Sequence, residues 1–132
     1  MNAEGLLRKA VTALSSAKLL LQSGDADGAC NRAYYTMFDA ARASLMAFQR
    51  SDEVLTIKTH SGLIASFSFQ LVKPGLIDLE FGKALNKVED LRLIADYKGD
   101  AITMDDAGWA VEQAELFVAA VRSRFFEDKT NR

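Results

Sequence analysis

The chain has 132 residues, with 16 lysines and arginines against 18 aspartates and glutamates and a formal net charge of −2 at pH 7. This length suffices for a core that needs no disulfides, and the charge excludes a general attraction to nucleic acid or anionic membranes. No stretch reaches the ~20 apolar residues of a membrane-spanning helix, and the amino terminus lacks a leader pattern. With a single cysteine, Cys30, in an apolar context that predicts burial, we expect a cytoplasmic protein.

The first three predicted elements are helices, because apolar residues recur every three or four positions and no run alternates as a strand does. The first helix covers about residues 3–22. Asp25 is suited to the N-cap of the second, which covers about residues 26–49. A polar joint follows, and either Thr56 or Thr59 caps a shorter third helix that ends before Pro74.

The fourth predicted helix covers about residues 78–98 and is stopped by the sequence KGD at 98–100. The fifth begins near Thr103, which forms an acidic variant of the capping box with Asp106. Four long helices and one shorter helix with short connections predict an all-α fold, an up-and-down antiparallel bundle. We expect one domain over residues 1–126, followed by a frayed tail at 127–132.

The main apolar stripe of the second predicted helix is an expected core face that holds Cys30, Tyr34, Met37, Ala41, Leu45 and Phe48. The helix is apolar almost all round, yet it carries Arg32 and Asp39. Such a helix is either central in its bundle or covered by another subunit, and we expect a two-fold dimer with this helix near the axis. Arg32 and Asp39 fall within about 20° of each other around the helix and about 10.5 Å apart along it, so two copies would form one charged cleft. Spacing alone favours a plainer alternative, in which Asp39 pairs with Arg42 and Arg32 lies along Tyr35 toward solvent.

Four motifs, in this order, resemble those of the HEPN family of small helical domains: GACNRAYYTMFDAARASL, KTHSGLIASF, LVKPGLID and DLRLIADYKGD. The resemblance covers nearly the whole chain and implies a helical bundle that usually dimerises. In many bacterial members it also implies a neighbouring minimal nucleotidyltransferase, with which the protein forms a toxin–antitoxin or related defence module. Active members carry an arginine, four to six residues and a histidine, and two copies of this motif make a metal-independent ribonuclease.

The chain departs from that motif at the histidine position, because Arg32 is followed after six residues by Asp39. It also has Ala33 directly after the arginine, where active members often have a polar residue. An imidazole of pKa ~6.5 both takes and gives protons at neutral pH. A carboxylate of pKa about 3.9 seldom holds a proton there, and it repels the phosphate that Arg32 would attract. We therefore expect weak or no ribonuclease activity. The alternative is a metal-independent ribonuclease toxin in which Asp39 acts as base beside Arg32.

Further candidate binding residues, for the cleft or for a partner, are Asn31, Tyr35, Lys58, His60, Asp96 and Tyr97. His60, at the start of the third helix, is expected to make a structural hydrogen bond more often than to act in catalysis. Lys58 is a candidate phosphate contact. The resemblance suggests Asp96 and Tyr97, whereas the spacing of Arg92 and its acidic neighbours predicts a solvated charged face.

No phosphate-binding glycine loop, metal-ligand set or nucleophile–base pair is visible, so we expect no metal and no cofactor. The expected partners are a second copy, a minimal nucleotidyltransferase, and RNA or a nucleotide. Three functions stay open: a subunit that binds the nucleotidyltransferase, an RNA-cleaving toxin, and a purely structural dimer.

Overall fold

The computed structural model describes residues 1–97 and 102–127, and over these residues the chain is helical with no strand. The α-helices are α1 (Ala3–Gln22), α2 (Ala26–Gln49), α3 (His60–Phe67), α4 (Leu79–Tyr97) and α5 (Met104–Val121). A 3₁₀ turn, Glu53–Thr56, precedes α3, and π-helical turns extend α3 (Ser68–Val72) and α5 (Arg122–Phe126). The predicted all-α bundle is confirmed. The predicted stop at residues 98–100 and the end of the predicted tail, 128–132, lie outside the described residues.

Side-chain caps fix where four of these helices begin: Asn2 caps α1, and the other three caps lie at residues that the sequence predicted. The Asp25 carboxylate accepts a hydrogen bond from the backbone N–H of Gly28 at 2.8 Å, and the Thr103 hydroxyl accepts one from Asp106 at 3.0 Å. Of the two candidate threonines, Thr59 caps α3, by accepting from the backbone N–H of Gly62 at 2.9 Å. Each cap satisfies an amide that has no partner in its own helix, so the predicted starts are confirmed.

Helix α2 lies at the centre of the bundle, where it contacts α1, α3, α4 and α5. Ala43 and Met46, on the side away from its main apolar stripe, are 0% and 6% exposed within one chain. This central position accounts for the apolar surface of the helix, and the two-fold dimer stays a prediction. The expectation that Phe48 lies in the core is wrong: it is 45% exposed at the last turn of α2, where its ring lies beside that of Phe125.

The buried side chains form one apolar cluster to which all five helices contribute. Its largest members, Tyr34, Phe67 and Phe117, are at most 1% exposed. Cys30 is fully buried as predicted, and burial, together with nearby Asp27, raises the pKa of its thiol to about 11. A thiol in this state is not a nucleophile at neutral pH. Within the described ranges, no helix is both long and apolar enough to cross a membrane.

Candidate functional site

A cleft between α1 and α2 holds both residues of the degenerate motif. It has a volume of about 320 Å³ and is lined by Lys9, Arg32, Tyr35, Phe38, Asp39 and Arg42. Sequence reasoning brought Arg32, Tyr35 and Asp39 together but did not include Lys9. Since Lys9 comes from α1, only the packing of the two helices places its charge beside α2.

Arg32 is held in the cleft by two neighbours from its own helix. Its Nε and Nη2 atoms donate to Asn31 Oδ1 at 3.2 Å and 3.1 Å. Its Cζ atom lies 5.1 Å from the centroid of the Tyr35 ring, within the range of a cation–π contact. Asn31 and Tyr35, both predicted as binding residues, therefore position the guanidinium of Arg32.

Asp39 is 4% exposed and pairs with Arg42, whose Nη1 donates to Asp39 Oδ1 at 3.2 Å. This ion pair and the Arg32–Tyr35 contact are the arrangement that the plainer alternative predicted for one chain. Burial raises the pKa of Asp39 above its usual value, and the positive charges of Lys9, Arg42 and Arg32 oppose that rise. A raised pKa is the direction that a carboxyl group needs in order to hold a proton for general acid chemistry.

An aromatic cluster adjoins the cleft and contains His60. The Tyr34 hydroxyl and His60 Nδ1 are 2.9 Å apart, and the His60 ring also packs on Phe38, with centroids separated by 4.5 Å. The ring of Tyr35 contacts His60 edge to face at 5.7 Å. His60 therefore makes the structural hydrogen bond expected of it, and Tyr35 connects it to the Arg32 side of the cleft.

The expectation that Arg92 lies on a solvated face is wrong, because Arg92 is 6% exposed. Its Cζ atom lies 4.5 Å from the Tyr34 ring centroid and 5.8 Å from that of Tyr35. Its Nη1 donates to Asp96 at 3.2 Å, and its Nη2 is 3.9 Å from Glu89 Oε2. The sequence does contain a signal for this burial, because Arg92 falls on the apolar stripe of α4, four residues after buried Val88.

The remaining predicted residues lie in different places. Asp96 reaches the cluster through its bond to Arg92, and Tyr97, at the end of α4, is 76% exposed. Lys58 is exposed just before α3, and it is not among the described residues that line the cleft. Among residues 1–97 and 102–127, no three His, Cys, Asp or Glu side chains are placed to share a metal ion.

The environment of His60 predicts a pH dependence of stability. Burial lowers the pKa of its imidazole below 6.5, the Arg92 guanidinium lowers it further, and Glu89 opposes them. The unfolded chain therefore binds this proton more tightly, so the stability contributed by neutral His60 is present above pH 6.5 and is lost as the pH falls. We expect the urea midpoint to fall between about pH 7.5 and about pH 5.5, and to fall less in His60→Gln.

The comparison with His60→Gln isolates the histidine from Asp39. The raised pKa of Asp39 gives a pH dependence of stability with the opposite sign. The stability that Asp39 contributes is present below the pKa it has in the unfolded chain, and it is lost as the pH rises through its pKa in the folded chain. Asp39 is unchanged in both proteins. An equal fall of the urea midpoint in the native chain and in His60→Gln would show that His60 is not the responsible group.

Comparisons with known proteins agree with the motifs around this cleft. The HEPN domain family model matches residues 3–124. A Methanocaldococcus jannaschii protein named "Putative toxin" is 32% identical over 124 residues, 94% of this chain and 89% of that protein. A UPF0332 protein of Thermotoga maritima is 33% identical over 124 residues, 92% and 88% of the two chains. One from Gloeobacter violaceus is 32% identical over 117 residues, 87% and 89%. This chain therefore belongs to the HEPN domain family, as its four motifs indicated.

Proposed function

We propose that the chain is the HEPN subunit of a two-component toxin–antitoxin or defence module in the cytoplasm. It forms a homodimer, and it binds a minimal nucleotidyltransferase encoded beside it. Family membership supports the class of module, as do two relatives from Methanocaldococcus jannaschii whose names contain the word toxin. The homodimer and the nucleotidyltransferase partner rest on the family that the four motifs identify.

One observation carries the proposed role of the cleft: Asp39, at the histidine position of the motif, shares the cleft with Arg32 but is paired with Arg42. Lys9, Arg32 and Arg42 supply positive charge for RNA or nucleotide phosphates. A carboxylate among them repels phosphate and lacks the proton-transfer range of an imidazole. The cleft is therefore proposed to bind RNA or a nucleotide, and to cleave RNA weakly or not at all.

A second candidate function is a metal-independent ribonuclease toxin that uses Asp39 itself. The burial of Asp39 favours it, because the raised pKa brings the carboxyl group closer to a range in which it both takes and gives a proton. In this candidate Asp39 would take the proton of a ribose 2′-hydroxyl as the 2′-oxygen bonds to phosphorus and the bond to the 5′-oxygen breaks. Protonated Asp39 would then give that proton to the leaving 5′-oxygen, and Arg32 would stabilise the charge that develops on the phosphate.

Co-expression with the neighbouring gene tests the proposal. With an affinity tag on this chain, we expect a nucleotidyltransferase-type neighbour to co-purify at a fixed stoichiometry, and the chain alone to elute as a dimer in light scattering. Cells that express the native chain alone are expected to grow as well as cells that express Arg32→Ala. Growth arrest that Arg32→Ala relieves would select the ribonuclease candidate instead. A monomer that retains no neighbour would contradict both.

A further inference from the structure

A second opening lies at the end of the bundle where α1 begins and α2 and α5 end. We call it the end groove and define it by Arg8, Met46, Arg50, Arg122, Phe125 and Phe126. Its volume is about 720 Å³, more than twice that of the cleft at about 320 Å³. No motif of the sequence analysis points to it, because its residues come from three helix ends far apart in the chain.

The end groove lies farther along the same face of α2 as the cleft. Arg32, Asp39 and Met46 follow one another at seven-residue steps, each of which turns about 20° and advances about 10.5 Å along the helix. On α1, Lys9 lines the cleft and the adjacent Arg8 lines the groove. A chain-like ligand in the cleft would therefore meet the end groove next.

Positive charge is concentrated along this path, although the whole chain carries a net charge of −2. Three carboxylates, Glu4, Asp39 and Glu127, face six cations: Arg8, Lys9, Arg32, Arg42, Arg50 and Arg122. Within the part of the chain that the structure describes, no carboxylate oxygen lies within 4.0 Å of the guanidinium of Arg8, Arg50 or Arg122. These three guanidinium groups supply positive charge for phosphate groups.

Aromatic rings lie near these arginines. Phe125 and Phe126 line the groove and are partly buried, and Phe48, which is 45% exposed, lies beside Phe125 with ring centroids 6.4 Å apart. Cations that track a phosphate backbone, together with rings on which bases stack, are the features of sites that bind single-stranded nucleic acid. Paired bases of a duplex would not reach such rings, because they are already stacked on one another.

We propose that the end groove binds single-stranded RNA as an extension of the cleft, an inference that rests on the proposed binding of RNA there. A second copy is a poorer occupant, because a two-fold contact centred on the groove would place its three arginines beside those of the other copy with no added carboxylates to pair them. An acidic protein segment would meet the arginines but would leave the exposed ring of Phe48 without a role. The observations therefore favour RNA over either protein occupant.

The binding of a fluorescein-labelled oligouridine of about 12 nucleotides, followed by anisotropy over a range of salt concentrations, tests the inference. In the double variant Arg50→Gln/Arg122→Gln, we expect the slope of log affinity against log salt to become shallower by about 0.7 per lost phosphate contact, with an affinity loss of about tenfold at low salt. The variant Phe125→Leu is expected to lose affinity with no change of slope, because stacking releases no counterions.

The matched control is Lys83→Gln, which removes an exposed cation of α4 that lines a different opening with Glu80 and Gln113. It is expected to bind RNA as the native chain does. If the double variant binds RNA as tightly as the native chain and Arg32→Gln abolishes binding, the end groove is not an RNA site, and the proposed RNA binding by the cleft is supported. If the double variant keeps its RNA affinity but loses the co-purified neighbour, the occupant is a protein. If the native chain binds no oligouridine at low salt, both the groove inference and the RNA role of the cleft fail.

Discussion

Replacing Arg92 by alanine is expected to lower the free energy of unfolding by about 2–3 kcal/mol. The substitution removes a guanidinium that lies 4.5 Å from the Tyr34 ring centroid, and it leaves the Glu89 carboxylate, 18% exposed, without its cation. Losing one partner of a fully buried ion pair costs about 3–5 kcal/mol. We expect the lower figure because Asp96 is 33% exposed and solvent can hydrate it once Arg92 is gone.

Two variants control this prediction, and urea titration measures all three. Arg92→Met keeps an unbranched apolar stem beside the tyrosines, although it is shorter than arginine, so it is expected to lose less stability than Arg92→Ala. Lys83→Ala, at an exposed position of the same helix, is expected to change stability by no more than about 0.5 kcal/mol. A loss in Arg92→Ala as small as that in Lys83→Ala would show that the cluster around Arg92 does not stabilise the fold.

The cluster around Arg92 also connects stability to the cleft. Tyr35 contacts the guanidinium of Arg92 at 5.8 Å and that of Arg32 at 5.1 Å, both measured from Cζ to the ring centroid. The two arginines come from different motifs, one in RAYY and the other in LRLIADY. The fold thus joins the two sequence motifs through a single tyrosine ring.

Much of the fold could be predicted because its signals are local. Helix starts at Asp25, Thr59 and Thr103 depend on a side chain and an amide three residues away, so the sequence alone contains the whole interaction. The expected burial of Cys30 followed from the apolar stripe around it. Phe48 obeyed the same spacing and is exposed, because helical periodicity does not tell where the neighbouring helices end.

The sequence predicts the contacts of the candidate site that lie within one helix, and it does not predict those between helices. Asn31, Arg32 and Tyr35 are neighbours on one helix, so their contacts follow from sequence distance. Lys9 and Arg92 reach the cleft and its cluster from α1 and α4, and their places depend on how those helices pack on α2. The spacing of Arg92 and its acidic neighbours is typical of an exposed helix surface, so it predicted exposure although Arg92 lies on the apolar stripe of α4.

Replacing Asp39 by histidine is expected to create ribonuclease activity, because the other residues of the proposed RNA cleft already lie together. Arg32 is already held by Asn31 and Tyr35, and Lys9 and Arg42 line the same cleft. The missing element is a group that both takes and gives a proton near neutral pH, which typically accelerates a reaction by about 10²–10⁴-fold. The carboxylate of Asp39 also repels phosphate, and the substitution removes that repulsion as well.

The measurement that tests this account most directly is the rate at which the purified native chain, Asp39→His and Asp39→His/Arg32→Ala cleave a labelled single-stranded RNA in the presence of EDTA. The account predicts weak or no cleavage by the native chain, a rate at least about 100-fold higher for Asp39→His, and loss of that gain in the double variant. A native chain that cleaves as fast as Asp39→His, or a gain that survives the loss of Arg32, would contradict it.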